Sequence, residues 1–314
     1  MKRIIVLLFF ILAQDGITQE AKEGQISSDV LLLLGEQSHW VKSFYEEKKK
    51  IIRQATEDSK AEVLLLIESP LVLSIVSVLK GDSSNYHYHH TNTKANIDFF
   101  SSYVNYGMDL QEDCRFGEFG SFLIQRGWCD QNDQELLRMD SLLGLCILGK
   151  NYSKDVLTKQ EGRVLKESIS KLKSKVLLRV QKEEEAEWLE ICFTSRLQLA
   201  EYLQLSIKNG RRDRIRYRDS IMALNVKQLL DRHKGYLGIV WAANLHIGRK
   251  GVMGSQWTNA QVKSMAEYLE KDYELYRVAV DSKRRRKEED YFDEIRVVSQ
   301  RVLVDPKYLI LNCD

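Results

Sequence analysis

The chain has 314 residues, 44% of them hydrophobic and 29% charged, a globular balance that excludes disordered, collagen-like and coiled-coil classes. Lysine and arginine total 47 against 45 aspartates and glutamates, a net charge of +2, so no basic excess points to nucleic acid as a partner. Only 2 prolines fit a chain built of regular elements, chiefly helices, because proline breaks helix interiors.

In chain order, Lys2 and Arg3 come first, ahead of the apolar run Ile4 to Ala13. A transmembrane helix needs about 20 apolar residues, and this run falls well short. A basic start followed by a short apolar stretch is the pattern of a secretory signal peptide, read here over residues 1–19 with Ala13 and Gly16 as small residues near the cut. The expectation is a secreted, periplasmic protein whose mature chain, from residue 20, has no membrane span.

Val30 to Leu34 (VLLLL) then reads as a strand buried on both faces. Val41 to Lys60 carries apolar residues near helical spacing, and Val63 to Ile67 (VLLLI) gives a second buried strand, which together make a βαβ unit. The middle, about 98–210 within a single domain of 20–314, reads as a helical insertion or cap, with one long helix from Glu161 to Lys208. The runs Glu183-Glu184-Glu185 and Lys283 to Lys287 read as solvated faces or loops. Tyr236 to Ala242, Leu275 to Val280 and Tyr308 to Asn312 are further predicted strands, with a helix over Asn259 to Asp272. The fold class expected is therefore α/β and helix-rich, a small mostly parallel sheet flanked by helices.

Cys114, Cys129, Cys146, Cys192 and Cys313 form no CxxC pair, so a structural zinc site has no support. Export would permit a Cys114–Cys129 disulfide, while the odd count leaves at least one free thiol. A metal site on His87, His89 and His90 lacks a defined acidic partner.

In open α/β sheets, ligands bind at the carboxyl ends of the strands. The first strand is followed by Gly35-Glu36-Gln37-Ser38-His39, the second ends in Glu68-Ser69-Pro70, and the next is followed by Asn244-Leu245-His246. Two carboxylates and two histidines thus converge on one edge. A histidine flanked by a carboxylate is how an enzyme builds a general base of fixed tautomer. Trp40, Trp241 and Trp257 flank these stretches as core or pocket wall, and Arg218 with Asp219 reads as a structural ion pair.

Leu33 to Arg53 (LLGEQSHWVKSFYEEKKKIIR) resembles the opening motif of the erythromycin esterase family, a GExxH followed by an aromatic and a basic residue. Leu66 to Ser69 is similar to that family's second strand, Tyr217 to Asn225 (YRDSIMALN) to its RDxxMAxN helix, and Val240 to Ile247 to its WAHNxHI strand end. Met253-Gly254-Ser255 and Phe292-Asp293 match its later blocks, in order. The resemblance implies hydrolysis of an ester or lactone, without metal or other cofactor. On these positions, His39 would activate water, Glu36 and Glu68 would orient it, and His246 would bind substrate or steady the oxyanion. Lys48 and Asn244 would contact a small-molecule substrate.

Two positions depart from the family pattern. Lys48 stands where the family has arginine, and loses the bidentate fork. Ala243 replaces the first histidine of WAHNxHI, and a methyl group neither donates a hydrogen bond nor moves a proton. A non-catalytic ligand-binding protein of the same fold therefore stays open as an alternative, as does a metal-dependent hydrolase using Glu36, His39, Glu68 and His246. The chain has little room for the family's helical cap, which implies a substrate other than a macrolide.

Overall fold

The computed structural model describes residues 30–37, 41–59, 61–81, 98–111, 115–147, 157–205, 207–249, 262–282 and 292–298. Six strands form its centre: β1 (Val30–Glu36), β2 (Val63–Pro70), β3 (Val104–Asp109), β4 (Leu237–Ala243), β5 (Glu274–Asp281) and β6 (Glu294–Val297). They make one sheet in the order β3-β2-β4-β1-β5-β6, every pairing parallel. The protein is a helix-rich α/β fold, as its sequence leads one to expect.

The leucine runs explain why the sheet is buried on both faces. Side chains alternate along a strand, so Leu31 and Leu33 join one core while Leu32 and Leu34 join the other. Helix α1 (Lys42–Ser59) covers the second face with Phe44, Tyr45, Ile51 and Ile52. On the first face lie α2 (Leu71–Lys80), α3 (Glu118–Gln125), α4 (Gln134–Ile147), α5 (Lys159–Leu177), α6 (Glu183–Gln204) and α7 (Ile207–Arg232). Two short helices, α8 (Asn244–Ile247) and α9 (Met265–Leu269), come after β4. Among the described residues no helix is long and apolar enough to cross a membrane.

Three differences from the expected elements have physical causes. β3 lies inside the stretch expected to be helical, yet pairs with β2 at the sheet edge. Its apolar residues Val104, Tyr106 and Met108 share one face and alternate with Asn105, Gly107 and Asp109, so it has no continuous apolar run. The Asn105 amide is nevertheless buried, and donates to the Phe100 and Tyr103 carbonyls, each at 2.9 Å. The expected helix from Glu161 to Lys208 is three: it breaks at Leu178, and again after Gln204. Glu183, Glu184 and Glu185 occupy the first turn of α6, where acidic side chains favour the positive end of the helix dipole.

Cys129 is a free, buried thiol, so it takes part in no bridge to Cys114. Residues 1–29, His39, Trp40, the His87–His90 stretch, residues 250–261, the basic run after Ser282 and the predicted strand Tyr308 to Asn312 lie outside the described residues.

Candidate active site

The strand order decides which residues meet. β2, β4 and β1 are adjacent, and β3 flanks β2. Glu36 closes β1 opposite Ala243 of β4, Glu68 lies near the end of β2, and Asp109 ends β3. His246 comes one turn after β4, on α8. Of the two carboxylates and two histidines expected on one sheet edge, Glu36, Glu68 and His246 lie there with Asn244, and His39 falls outside the described residues.

Glu68 is the hub of a buried polar cluster. Its Oε1 accepts from Arg218 Nη2 at 2.9 Å and lies 3.1 Å from His246 Nε2, while its Oε2 accepts from the Ala243 backbone N–H at 2.8 Å. Arg218, on α7, also grips Asp109 through Nε, at 3.0 and 3.1 Å, and through Nη2 at 2.6 Å. Such forked, charge-assisted contacts are the strong and directional ones. Asn225, two turns further along α7, donates to the Met108 carbonyl at 2.9 Å and ties the helix to the end of β3.

His246 is 1% exposed and held from both sides, since its Nδ1 lies 2.8 Å from Asp219 Oδ1. The other Asp219 oxygen accepts from the Met265 backbone N–H at 2.9 Å, at the start of α9. Burial opposes the imidazolium, but the charges of Asp219 and Glu68 prevail and push its pKa up to about 10. At neutral pH this ring is a cation with both nitrogens engaged, unable to take a proton.

The β1 side is built differently. Lys48, on α1, is fully buried; its Nζ lies 2.5 Å from Glu36 Oε2, donates to the Ala242 carbonyl at 3.0 Å, and sits 4.6 Å from the centre of the Trp241 ring. Burial pushes the Lys48 ammonium down, against the opposing pull of Glu36. Trp241 is itself core, packed edge-on against Phe100 at 5.2 Å. Expected to touch substrate, Lys48 reaches Glu36 from beneath the sheet edge. A Cβ on Gly35 would come within 2.2 Å of Asn244 Oδ1, so only glycine lets Asn244 fold over β1; that oxygen is buried and has no partner among the described residues.

Sequence reasoning missed Asp109, and paired Arg218 with Asp219. The two are consecutive on a helix and therefore diverge, one to Asp109 and Glu68, the other to His246. The signal available for Asp109 was its place at a strand end, like Glu36 and Glu68. His39 lies outside the described residues, three positions beyond Glu36. No group of three or more His, Cys, Asp or Glu among the described residues is arranged to hold a metal ion.

A parallel α/β sheet whose carboxyl edge gathers buried acids and a histidine is the architecture of a ligand-binding or catalytic α/β protein. The sequence profile of the erythromycin esterase family matches residues 90–284, well over half of the chain. The chain belongs to that family. The matched stretch holds Asp109, Arg218, Asp219 and His246, and begins after β2.

Three solved structures share the fold. A Bacillus cereus protein aligns with TM-score 0.55 at 20% identity, covering 81% of this chain and 66% of its own. A succinoglycan biosynthesis protein aligns with TM-score 0.56 at 15% identity, covering 82% and 67%. A single-substitution variant of erythromycin esterase EreC in its open conformation aligns with TM-score 0.54 at 14% identity, covering 82% and 71%. The chain thus spans about two thirds of the length of these proteins. No curated protein sequence matches it.

Proposed function

We propose that this protein is an exported hydrolase that opens an ester or lactone of a small molecule with water activated by His39. The observation that carries the reading is the buried cluster centred on Glu68, built by three neighbouring strands and α7 at the edge where such folds bind ligands. A charged, preorganised cluster costs stability to bury, and is understandable where it serves chemistry.

In this mechanism neutral His39 takes a proton from water as the water oxygen bonds to the carbonyl carbon. The tetrahedral oxyanion collapses, the C–O bond to the leaving group breaks, and the alcohol receives the proton from His39. Glu36 and Glu68 orient His39 and the water. His246 is a positioning residue: an imidazolium that fixes Glu68. Lys48 acts likewise through Glu36, and Asn244 offers its amide to the substrate. The signal segment at residues 1–19 would carry the chain out of the cytoplasm, and cell fractionation with N-terminal sequencing of the mature protein tests that part.

The catalytic part is tested by following hydrolysis of simple esters, lactones and one macrolide by wild type and His39→Ala, with circular dichroism as the folding check. Turnover falls to background in the folded variant if His39 is the base. Equal background rates in both proteins would favour a second reading, a ligand-binding protein without turnover. One observation supports that alternative: Ala243 offers the cluster only its backbone N–H, where the family pattern has a histidine. A metal held by Glu36, His39, Glu68 and His246 is disfavoured, because both His246 nitrogens already face carboxylates.

A further inference from the structure

One helical turn before Arg218, on the same face of α7, lies Arg214. Its guanidinium carbon lies over the Tyr202 ring, 4.4 Å from the ring centre. A cation held over a ring forms no hydrogen bond to an acceptor oxygen there, so the contact leaves the guanidinium N–H groups open to a planar carboxylate. Nearby acids are engaged elsewhere: Asp109 with Arg218, Glu201 with the Tyr217 hydroxyl at 2.6 Å, and Asp213 with Arg216 at 3.8 Å. Among the described residues no carboxylate pairs with Arg214, and its Nε is buried without a partner.

Tyr202 joins this arginine to the Glu68 cluster. Its hydroxyl accepts from Gln111 Nε2 at 2.7 Å, and the Gln111 backbone N–H donates to Asp109 at 3.2 Å. With its oxygen accepting from Gln111, the Tyr202 hydroxyl keeps its own proton for another acceptor. A cation and a neutral donor thus stand together beside the carboxyl end of β3, separated from Glu68 by Asp109 and Arg218.

We propose that Arg214 and Tyr202 form a recognition subsite for a carboxylate borne by the ligand, so that this protein prefers acidic esters to neutral ones. The preference for turnover rests on the hydrolase reading above; the subsite itself does not. The Glu68 cluster holds three carboxylates, Glu68, Asp109 and Asp219, against the two cations Arg218 and His246. An uncommitted arginine at its border is what lets an acidic ligand approach.

The test compares mono-4-nitrophenyl glutarate with 4-nitrophenyl butyrate, corrected for uncatalysed hydrolysis, in wild type, Arg214→Gln, Arg214→Lys and Tyr202→Phe. Wild type should show the lower KM for the glutarate ester. Arg214→Gln should erase that preference, a change of roughly tenfold or more in the KM ratio, with Arg214→Lys intermediate. A ratio unmoved by Arg214→Gln would overturn the proposal. Calorimetric titration with glutarate and with inorganic phosphate reads the subsite without turnover. Glutarate binding that is lost in Arg214→Gln, in a protein inert on every ester, supports the subsite and sinks the hydrolase reading. Turnover with no glutarate binding does the reverse, and tighter binding of phosphate than of glutarate overturns the carboxylate assignment.

Discussion

Two histidines bracket β4, His233 just before it and His246 just after, and the chain drives them in opposite directions. At the carboxyl end, His246 lies between Asp219 and Glu68 and is held as a cation, its pKa about 10. At the amino end, His233 is half-buried against the rings of Tyr106 and Tyr236, at 5.2 and 5.5 Å, beside Arg232. Burial, with the charge of Arg232 added, pushes its pKa below the ordinary value of 6.5. Both rings lose solvent, so desolvation cannot be what separates them. The difference is two carboxylates against two aromatic rings and an arginine. Polarity is concentrated at the end of the sheet where ligands bind, and the other end is closed by packing.

The most severe way to break this contrast is to remove the guanidinium that the carboxyl end depends on. Arg218→Ala leaves Asp109 without its partner and Glu68 without one of its donors. Breaking a buried ion pair from one side costs about 3–5 kcal/mol, which urea unfolding would show as a large fall in midpoint. Arg218→Lys should recover only part of this, because a lysine cannot hold Asp109 and Glu68 through one planar fork. A loss below about 1 kcal/mol in Arg218→Ala would mean that the cluster is solvated and that its charges are screened.

Asp219→Asn sharpens the contrast without emptying the site. The amide keeps the shape and removes one of the two charges that raise the His246 pKa. The imidazole signal of His246, followed by NMR, should then titrate a unit or more below about 10. Linkage fixes the sign for the wild type. A raised folded pKa contributes stability that is fully present below 6.5 and is lost as pH rises through about 10. Asp219→Asn should flatten that alkaline decline, at a stability cost of about 1–3 kcal/mol at neutral pH. A titration midpoint unchanged in the variant would assign the shift to Glu68 alone.

Much of this was legible in the sequence, and the part that was not shares one cause. The doubly buried strands announce themselves as VLLLL and VLLLI, because both faces of a parallel sheet are covered. Glu36, Glu68 and His246 are found by looking for polar residues at the carboxyl end of each apolar run. Asp109 escapes that search because β3 has no apolar run to mark it: Val104, Tyr106 and Met108 on one face are separated by Asn105 and Gly107 on the other. The divergence of Arg218 from Asp219 is likewise unreadable from a pair of neighbours, since it depends on which strands α7 lies across. Local pattern reveals elements, whereas partners at |i−j| above one hundred, such as Asp109 with Arg218, are set by strand order.

The smallest expected effect lies at the amino end, and it carries the opposite sign. A histidine with a lowered folded pKa contributes stability that is present above 6.5 and is lost as pH falls through the folded value. His233→Phe keeps a ring against Tyr106 and removes the group that resists protonation, along with a buried Nε2 that has no partner among the described residues. Urea midpoints should therefore fall with acidification in the wild type and fall less in the variant. The ring is only half-buried and solvent screens it, so the difference should stay under about 1 kcal/mol near pH 5. His246 weakens the fold toward alkaline pH while His233 weakens it toward acid, so these two rings alone place a stability maximum near 6.5. Should His233→Phe instead steepen the acid limb, the amino end would be holding a charge, and packing alone would not account for the way β4 divides the molecule.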